Sequence, residues 1–265
     1  MKWDDIDNHA KEWVKEAGDK IRLSFEKTLN IETKSNANDL VTNIDKEIEQ
    51  FFINKIRGVY PDHKIMGEEG FGDELKSHEG IVWLIDPIDG TMNFIHQQRN
   101  FAISIGIYEK GIGRIGLIYD VAHNELYHAI RGKGAYLNGK PLPLLKETTV
   151  KESIIALNAT WVMENHRIDH TLMIPLVRDA RGTRSYGTAA LEMVFVATGR
   201  VDAYLSMRLS PWDFAAGAVI VEELGGKVTN LKGEKLDFLS KDTLFTAKPG
   251  LHQQILNDYL KRGQY

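Results

Sequence analysis

The sequence predicts a mixed fold of the α+β or α/β class, in which helices pack against partly parallel sheets. Two patterns predict it. Residues 101–130 form a run of strand-like segments joined by short turns, which is typical of hairpins. Residues 153–260 alternate strand-like with helical segments, an order typical of a partly parallel sheet. We therefore expect an antiparallel region in the first half of the chain and a more parallel one in the second.

The N-terminal region predicts two amphipathic helices. Residues 3–29 carry apolar side chains at steps of three and four, which places them on one face of a helix. The same spacing recurs over residues 41–56, and this second helix should end before Pro61, because proline cannot continue it. The polar residues 32–39 between the two predict a loop.

Strand-like segments follow the second helix. Residues 63–66 and 81–85 are strand-like, and each segment leads into acidic residues. Three hairpin strands come next, and residues 132–143 are then rich in turn residues. We place a domain boundary after them, which divides the chain into an N-terminal α+β half, 1–145, and a C-terminal α/β half, 146–265.

The C-terminal half predicts alternating elements. Its predicted strands lie at 153–159, 201–206, 227–230 and 243–247. Its predicted helices lie at 164–180, 188–198, 211–226 and 251–260. The third of these helices has proline at its start and glycine at its end, the asymmetry expected of helix termini.

Composition excludes several classes of protein. The chain has 265 residues, which exceeds the usual size of one domain. Its net charge of -4, without a basic cluster, argues against nucleic-acid binding. It has no cysteine, which excludes disulfides, thiolate metal sites and a cysteine nucleophile. Because no apolar stretch is long enough for a membrane helix or resembles a signal core, we expect a cytoplasmic protein that does not bind membranes.

Residues 111–116, GIGRIG, match the Gly-x-Gly-x-x-Gly pattern of dinucleotide-binding folds. That pattern requires a helix after the glycines. The residues that follow are β-branched and apolar, and they predict another strand. We therefore interpret the glycines as a hairpin turn, which leaves a dinucleotide-dependent dehydrogenase with no other support in the sequence.

The segment WLIDPIDGTMNFIH, 83–96, concentrates oxygen donors after an apolar run. We expect Asp86 to close a strand and Pro87 to fix a turn. Asp89 comes three residues after Asp86, so both carboxylates can face one side of that turn. The Ile88 carbonyl lies between them.

Gly90 and Thr91 follow directly. Glycine allows a ligand to approach the backbone closely, and threonine supplies a hydroxyl where a helix can begin, with amide groups that favour an anion. Carboxylate, carbonyl and hydroxyl oxygens suit Mg²⁺ better than a soft metal. Taken alone, the segment fits an ordinary surface turn equally well, because Asp-Pro and Asp-Gly pairs are common there.

Other acidic residues fit the same site. Glu68 and Glu69 follow the strand before Asp86, so their carboxylates would converge with Asp86 if the two strands are neighbours. A solvated acidic loop is the alternative, and for Glu69 it is the one we favour. Asp213 opens a helix rich in small residues, which would let that helix pack closely, but it could also simply complement the helix dipole.

Three motifs together resemble the inositol monophosphatase family. They are GEE at 67–69, WLIDPIDGTMNF at 83–94 and PWDFAAG at 211–217. Residues 41–49 and 185–204 are also similar to family segments, so the resemblance covers nearly the whole chain. It implies a layered αβαβα fold and a Mg²⁺-dependent, lithium-sensitive phosphomonoesterase that forms a homodimer.

The resemblance implies two or three Mg²⁺ ions per active site. Glu68, Asp86 and the Ile88 carbonyl would hold the first ion. Asp86, Asp89 and Asp213 would hold the second, and Asp89 and Asp213 would also contact the substrate. Glu68 would reach a third, weaker ion through water.

The catalytic roles implied by the resemblance fall on Thr91, Asp45 and Glu68. Thr91 would hold the nucleophilic water with its hydroxyl, and Asp45 would pair with Thr91 to polarise that water. The amides of Gly90 and Thr91 would bind the phosphate. By sequence alone, Asp45 could equally be a surface charge flanking an apolar helix face. Lys34, in the polar loop, would come near the metals.

The substrate contacts follow the family in part. Gly187, Thr188 and Ala189 match its substrate-contacting segment. Family members that act on inositol phosphate commonly carry a glutamate at the position of Ser206, and Arg208 lies close by. Serine is shorter and uncharged, and arginine favours an anionic partner. Inositol 1-phosphate is the substrate we expect, with the 2′-phosphate of NADP(H), fructose 1,6-bisphosphate and 3′-phosphoadenosine nucleotides as alternatives.

Two other readings remain open. A haloacid-dehalogenase-type phosphatase also uses an Asp-x-Asp-Gly-Thr segment, but its aspartates are two residues apart and the first attacks phosphorus. A non-catalytic, metal- or partner-binding regulator is the second. The full set of acidic residues argues against a loss of catalysis.

Overall fold

The computed structural model describes residues 2–26, 29–33 and 40–260. Lys34 lies outside these residues. The described chain contains α-helices at α1 (Lys2–Ser24), α2 (Asn43–Val59), α3 (Thr91–Gln97), α4 (Met173–Asp179), α5 (Ala189–Ala197), α6 (Pro211–Glu223) and α7 (Leu251–Asp258). None of the described helices is long and apolar enough to cross a membrane.

The strands belong to three sheets. Their bounds are β1 (Ile31–Thr33), β2 (Leu40–Thr42), β3 (Lys64–Gly67), β4 (Ile81–Asp89), β5 (Ala102–Glu109), β6 (Ile112–Asp120), β7 (Glu125–Ile130), β8 (Ala135–Leu137), β9 (Lys140–Pro141), β10 (Ile154–Leu157), β11 (Gly182–Arg184), β12 (Ala203–Leu209), β13 (Lys227–Thr229) and β14 (Asp242–Ala247). A seven-stranded sheet has the order β3-β4-β5-β6-β7-β8-β9, a five-stranded sheet has the order β11-β10-β12-β14-β13, and β1 pairs with β2.

Both predicted strand patterns are confirmed. In the large sheet, β4 to β9 form antiparallel neighbours, and only β3 runs parallel to β4 among its described strands. In the smaller sheet, β10 is parallel to both β11 and β12. The fold is therefore a mixed one, with antiparallel hairpins in the first half and parallel pairs in the second.

The elements stack in five layers. Helices α1 and α2 cover one face of the large sheet in an apolar cluster. Helices α5 and α6 fill the space between the large sheet and the smaller one. Helices α4 and α7 cover the far face of the smaller sheet. This is the layered αβαβα arrangement that the resemblance implies, whereas the domain boundary near residue 145 stays a prediction.

Helix α6 packs against the large sheet at very close range. A Cβ atom added at Gly106 on β5 or at Gly116 on β6 would lie under 3.0 Å from the Ala215–Ala216 segment of α6, closer than real Cβ atoms come. Glycine on the sheet and alanine on the helix therefore allow this approach. The expectation that small residues let this helix pack closely is confirmed.

Several predicted boundaries need correction. The first helix ends at Ser24 and not near residue 29, and the strand β1 occupies part of the predicted polar loop. Of the helix predicted at 164–180, a short 3-10 helix at His170–Leu172 and α4 form. The residues around Asn165 adopt a turn because its side chain accepts hydrogen bonds from the Arg167 and Ile168 N–H groups. Asp169 accepts the Thr171 N–H and so begins the 3-10 helix.

Within the segment 111–116, Gly111 lies in a hairpin turn, as predicted, whereas Gly113 and Gly116 lie on β6. Lys110 and Gly111 both have positive φ, of 51° and 73°, between β5 and β6. Two consecutive left-handed residues make the tight turn that matches the twist of antiparallel strands. The described structure therefore places no helix after these glycines.

Candidate active site

Glu68 directly follows β3, and Asp86 lies on the neighbouring parallel strand β4. Gly67 of β3 is paired with Ile85 of β4, and the Glu68 N–H donates to the Ile85 carbonyl at 3.2 Å. Because the two strands run in the same direction, their carboxyl ends meet at one edge. The structure confirms that the strands before these two acidic residues are neighbours.

Asp86 and Asp89 lie on one strand and not in a turn, which corrects the sequence-based prediction. Strand β4 runs through Pro87 to Asp89, with an irregular register against β5 between the two aspartates. Such a bulge leaves a residue unpaired, so the missing N–H of Pro87 is tolerated there.

The bulge also turns both aspartates to one face of the sheet. In a regular strand, residues three apart point to opposite faces. Here Asp86 is opposite Ser104 and Asp89 is opposite Ala102, two residues apart on β5 and therefore on the same face. That face is the one covered by α5 and α6.

Asp213 approaches the same face from the first turn of α6. The Ser104 hydroxyl donates to the Trp212 carbonyl at 3.0 Å and so ties the start of α6 to β5. The Asp213 Oδ2 atom accepts the Ser210 N–H at 2.8 Å, which forms a capping box with Ser210. Asp213 therefore caps its helix and also faces the aspartates of β4.

The carboxylates are coupled electrostatically. Burial raises the pKa of Asp86 well above its ordinary value, and the charges of Glu68, Asp89 and Asp213 raise it further. Burial, followed by the charges of Asp89 and Glu68, does the same to the pKa of Asp213. A divalent cation would relieve this repulsion.

Asp89 is held by the N-terminus of α5. Burial raises the pKa of Asp89 to about 6, while hydrogen bonds from Thr188 and Ala190 oppose that rise. The Asp89 Oδ2 atom accepts the Thr188 hydroxyl at 2.5 Å and the Ala190 N–H at 2.6 Å. These two bonds link the end of β4 to the second half of the chain.

The donor set fits a hard divalent cation. It consists of four carboxylates, the Ile88 carbonyl and the Thr91 hydroxyl, which are all oxygen ligands. In the part of the chain that the structure describes, no three acidic or histidine side chains form a compact metal-binding group.

Thr91 and Asp45 are brought together across two helices. The Thr91 Oγ1 atom lies 3.1 Å from Asp45 Oδ1 and 3.1 Å from the Ile88 carbonyl oxygen, and its single proton can donate to either. Gly90 precedes α3 with a φ of 92°, and a Cβ there would lie 3.1 Å from the Thr188 Cβ. Glycine is therefore required between Asp89 and the helix.

Asp45 is not a flanking surface charge. It is 1% exposed, and its Oδ2 atom accepts the Thr42 N–H at 2.9 Å and the Thr42 hydroxyl at 2.5 Å. The first of these bonds and the bond that the Asp45 N–H donates to Thr42 Oγ1 form the capping box that begins α2. Burial raises the pKa of Asp45, which the Thr42 hydrogen bonds oppose. The side chain is thus held with its second oxygen directed to Thr91.

A cavity of about 250 Å³ adjoins Asp89. Its lining combines residues of the α5 N-terminus, strand β12 and the loop after β10: Asp89, Asn158, Trp161, Ser185, Gly187, Thr188, Ala189, Glu192, Tyr204, Leu205, Ser206, Arg208 and Leu209. Of the six residues that we predicted as substrate contacts in the second half of the chain, five line it: Gly187, Thr188, Ala189, Ser206 and Arg208. The sixth, Asp213, is not among its lining residues. Ser206 is buried and Arg208 is exposed.

Sequence reasoning missed Glu49 on α2. It is fully buried, and its carboxylate accepts the Glu69 N–H at 2.7 Å and the Phe71 N–H at 2.9 Å. These bonds fix the loop that begins with Glu68. Its position four residues after Asp45, on the same face of the helix, is a signal that could have found it. For Glu69 the structure gives a backbone contact to this carboxylate.

Two further polar residues were missed. The Asn93 side chain donates to the Asn100 carbonyl at 2.8 Å and to the Tyr186 carbonyl at 2.7 Å, which ties α3 to the cavity. Glu192, which is 4% exposed, accepts the Tyr186 N–H at 2.6 Å. Glu192 is the one charged residue of α5, four residues after Thr188. A single charged residue in an apolar helix is the feature of the sequence that could have identified it.

Known proteins match this chain along nearly its whole length. The model of the inositol monophosphatase family matches residues 2–264. An inositol-1-monophosphatase of Bacillus subtilis (strain 168) is 59% identical over 258 residues, which are 97% of this chain and 97% of that protein. The solved structure of inositol monophosphate bound SaIMPase-II is 42% identical and has a TM-score of 0.87, over 97% of this chain and 93% of that one.

A third similar protein is an IMPase/NADP phosphatase solved in complex with Mg²⁺ and phosphate. It is 29% identical with a TM-score of 0.89, over 97% of this chain and 95% of that one. Fold and matches together define a phosphoric monoester hydrolase. The chain belongs to the inositol monophosphatase family.

Proposed function

We propose that this protein hydrolyses inositol 1-phosphate to inositol and phosphate with Mg²⁺ and a metal-activated water. One structural observation carries the proposal. The bulge in β4 directs Asp86 and Asp89 to a single face, beside a cavity whose size suits a small phosphate monoester. The 59% identity to an inositol-1-monophosphatase supports this choice of substrate.

The proposed metal ligands follow from the donor set. Glu68, Asp86 and the Ile88 carbonyl would hold one Mg²⁺ ion, and Asp86, Asp89 and Asp213 a second. A third ion would be held more weakly through Glu68. Bound Mg²⁺ lowers the pKa of its water and neutralises charge on the phosphoryl oxygens. The IMPase/NADP phosphatase solved with Mg²⁺ and phosphate supports this cofactor.

Thr91 and Asp45 would orient the attacking water. Asp45 Oδ1, 3.1 Å away, can accept the Thr91 proton, which leaves a lone pair of the hydroxyl directed at the water. The amides of Gly90 and Thr91 would donate to the phosphate. The leaving group would lie in the cavity beside the α5 N-terminus, which Asp89 lines. Asp213 would contact the substrate from the first turn of α6.

The same chemistry on another phosphate ester is the second candidate. Arg208 is exposed at the cavity and would favour a substrate with a second anionic group, such as NADP(H) or fructose 1,6-bisphosphate. The similar IMPase/NADP phosphatase supports the first of these. Lithium sensitivity, a homodimer and a cytoplasmic location are proposals that rest on the family resemblance and on composition.

The test is phosphate release from inositol 1-phosphate, NADP and fructose 1,6-bisphosphate in parallel, with Mg²⁺ and with or without lithium. We expect lithium-sensitive release that is fastest from inositol 1-phosphate. Faster release from NADP or the bisphosphate would establish the second candidate. No release from any of the three would refute the phosphatase proposal and favour a non-catalytic regulator.

A trap for a covalent intermediate separates metal-activated water from an aspartyl nucleophile. Acid quenching during turnover should yield no aspartyl-phosphate, because the proposed nucleophile is water. Recovery of phosphorylated Asp86 or Asp89 would instead indicate a haloacid-dehalogenase-type reaction. Hydride transfer with NADP should also be undetectable.

A further inference from the structure

The substrate cavity contains a carboxylate with no role in the proposed hydrolysis. Of the described residues that line it, two are acidic: Asp89 and Glu192. Asp89 belongs to the proposed metal ligands. Glu192 projects from the first turn of α5, on the side of the cavity where the leaving group would lie.

Glu192 is held rigidly in this position. Its Oε1 atom accepts the Tyr186 N–H at 2.6 Å, and it also interacts with the Gly187 N–H and the Tyr204 side chain. Glu192 is 4% exposed and is one of the residues that line the cavity. A buried carboxylate is costly unless donors surround it, and a substrate hydroxyl would supply one more.

Ser206 lies in the same cavity on the neighbouring strand β12. It is 6% exposed and lies two residues from Tyr204, whose side chain contacts Ser206 and lies close to the Glu192 carboxylate. A serine at this position occupies little volume. The side of the cavity that holds Glu192 is therefore left open to a ring carrying several hydroxyl groups.

We propose that Glu192 accepts hydrogen bonds from hydroxyl groups of the leaving alcohol and, with Ser206, gives the site its preference for a polyhydroxylated ring. This rests on the proposed function. A carboxylate is a strong acceptor for hydroxyl donors. A leaving alcohol whose ring carries no further hydroxyl groups would remove water from the carboxylate without supplying hydrogen bonds in its place. A polar site rejects such a ligand.

The test compares inositol 1-phosphate with cyclohexyl phosphate, which has the same ring and no hydroxyl groups on it. The measured quantity is the ratio of kcat/KM for the two substrates. Glu192→Gln should lower this ratio roughly 10- to 100-fold, the value of a hydrogen bond to a charged group. Glutamine keeps an oxygen that can accept the Tyr186 N–H, so the loop can keep its place.

Glu147→Gln is the matched control, since it makes the same change on an exposed loop residue outside the cavity lining. It should leave the ratio at the wild-type value. If Glu192→Gln does not fold, Glu192→Asp shortens the side chain by one methylene group and should lower the ratio several-fold.

The outcomes are distinct. An unchanged ratio in a folded Glu192 variant, or equal losses on both phosphates, would overturn the inference and leave Glu192 as a residue that only positions the loop. Lack of activity of the wild-type enzyme on both phosphates would refute the proposed function instead. A selective loss on inositol 1-phosphate would support both.

Discussion

The Thr188 hydroxyl donates a hydrogen bond of 2.5 Å to Asp89 Oδ2. Thr188 is the N-cap of α5, and Asp89 is the last residue of β4. One bond therefore joins the helix that lines the cavity to the strand that carries two proposed metal ligands. A substitution that removes this hydrogen bond should lower both the stability and the activity of the protein.

Thr188→Val should lower both. It removes the hydroxyl from a cap and from a buried carboxylate while keeping the shape of the side chain. Loss of the cap costs about 1 kcal/mol, and loss of a hydrogen bond to a charged group adds about 1.5–3 kcal/mol. Chemical denaturation and kcat/KM for inositol 1-phosphate would measure the effects. Thr188→Ser retains the hydroxyl and should stay near the wild type, and an equally large loss in that variant would contradict the assignment.

Asp89→Asn should abolish turnover and leave the fold intact. The amide oxygen can still accept from Thr188, but a neutral group holds Mg²⁺ poorly, so activity should fall at least about 100-fold. Steady-state kinetics and circular dichroism would check the two statements. Asp258→Asn makes the same change at an exposed position on α7 and serves as control. Retained activity in Asp89→Asn would overturn the two-metal assignment.

Stabilisation by Mg²⁺ should increase with pH. The folded-state pKa of Asp89 is raised from 3.8 to about 6. Between these values the metal-free folded protein binds more protons than the unfolded chain, so this contribution to its stability falls as pH rises from about 4 to 6. The raised pKa values of Asp86 and Asp213 act in the same direction.

The measurement is the Tm difference between samples with Mg²⁺ and with a chelator. It should be small near pH 4.5 and larger at pH 7, because the cation offsets the repulsion that appears when the carboxylates ionise. His252, whose pKa burial lowers to about 4, gives an opposite slope. That slope is common to both samples and cancels. A Tm difference that does not grow with pH would argue against a shared cation at these carboxylates.

Gly67→Ala should weaken Mg²⁺ binding although it replaces none of the proposed metal ligands. A Cβ at Gly67 would lie under 3.0 Å from the Glu49 carboxyl group. Glu49 would have to move away from the Glu69 and Phe71 N–H groups, which releases the loop that carries Glu68. We expect a stability loss of about 1–3 kcal/mol and a higher Mg²⁺ concentration for half-maximal activity.

Gly58→Ala is the control for this change. Gly58 lies near the end of α2, the helix that carries Glu49, and nothing lies within 4 Å of a Cβ added there. Alanine in a helix is favoured over glycine by up to about 1 kcal/mol, so this variant should be neutral or slightly more stable. If both variants required the same Mg²⁺ concentration, the role of Glu49 in placing Glu68 would be disproved.

The helices and strands with clear periodicity were predictable. The apolar spacing over residues 41–56 correctly predicted α2, and Pro211 correctly predicted the start of α6. Both signals act over only a few residues of the chain. The structure of the region before α4 was not predictable, because the side chains of Asn165 and Asp169 accept local backbone hydrogen bonds that compete with an α-helix. Its apolar spacing alone could not reveal that competition.

The sequence by itself determined which residues carry the oxygen donors and, through its motifs, the family to which the chain belongs. Only the tertiary structure decided how those donors face each other. The register shift between β4 and β5 turns Asp86 and Asp89 to one face, and α2 buries Asp45 and Glu49 beside them. Strand register and helix packing depend on residues that are distant along the chain, so neither a local motif nor its spacing contains them.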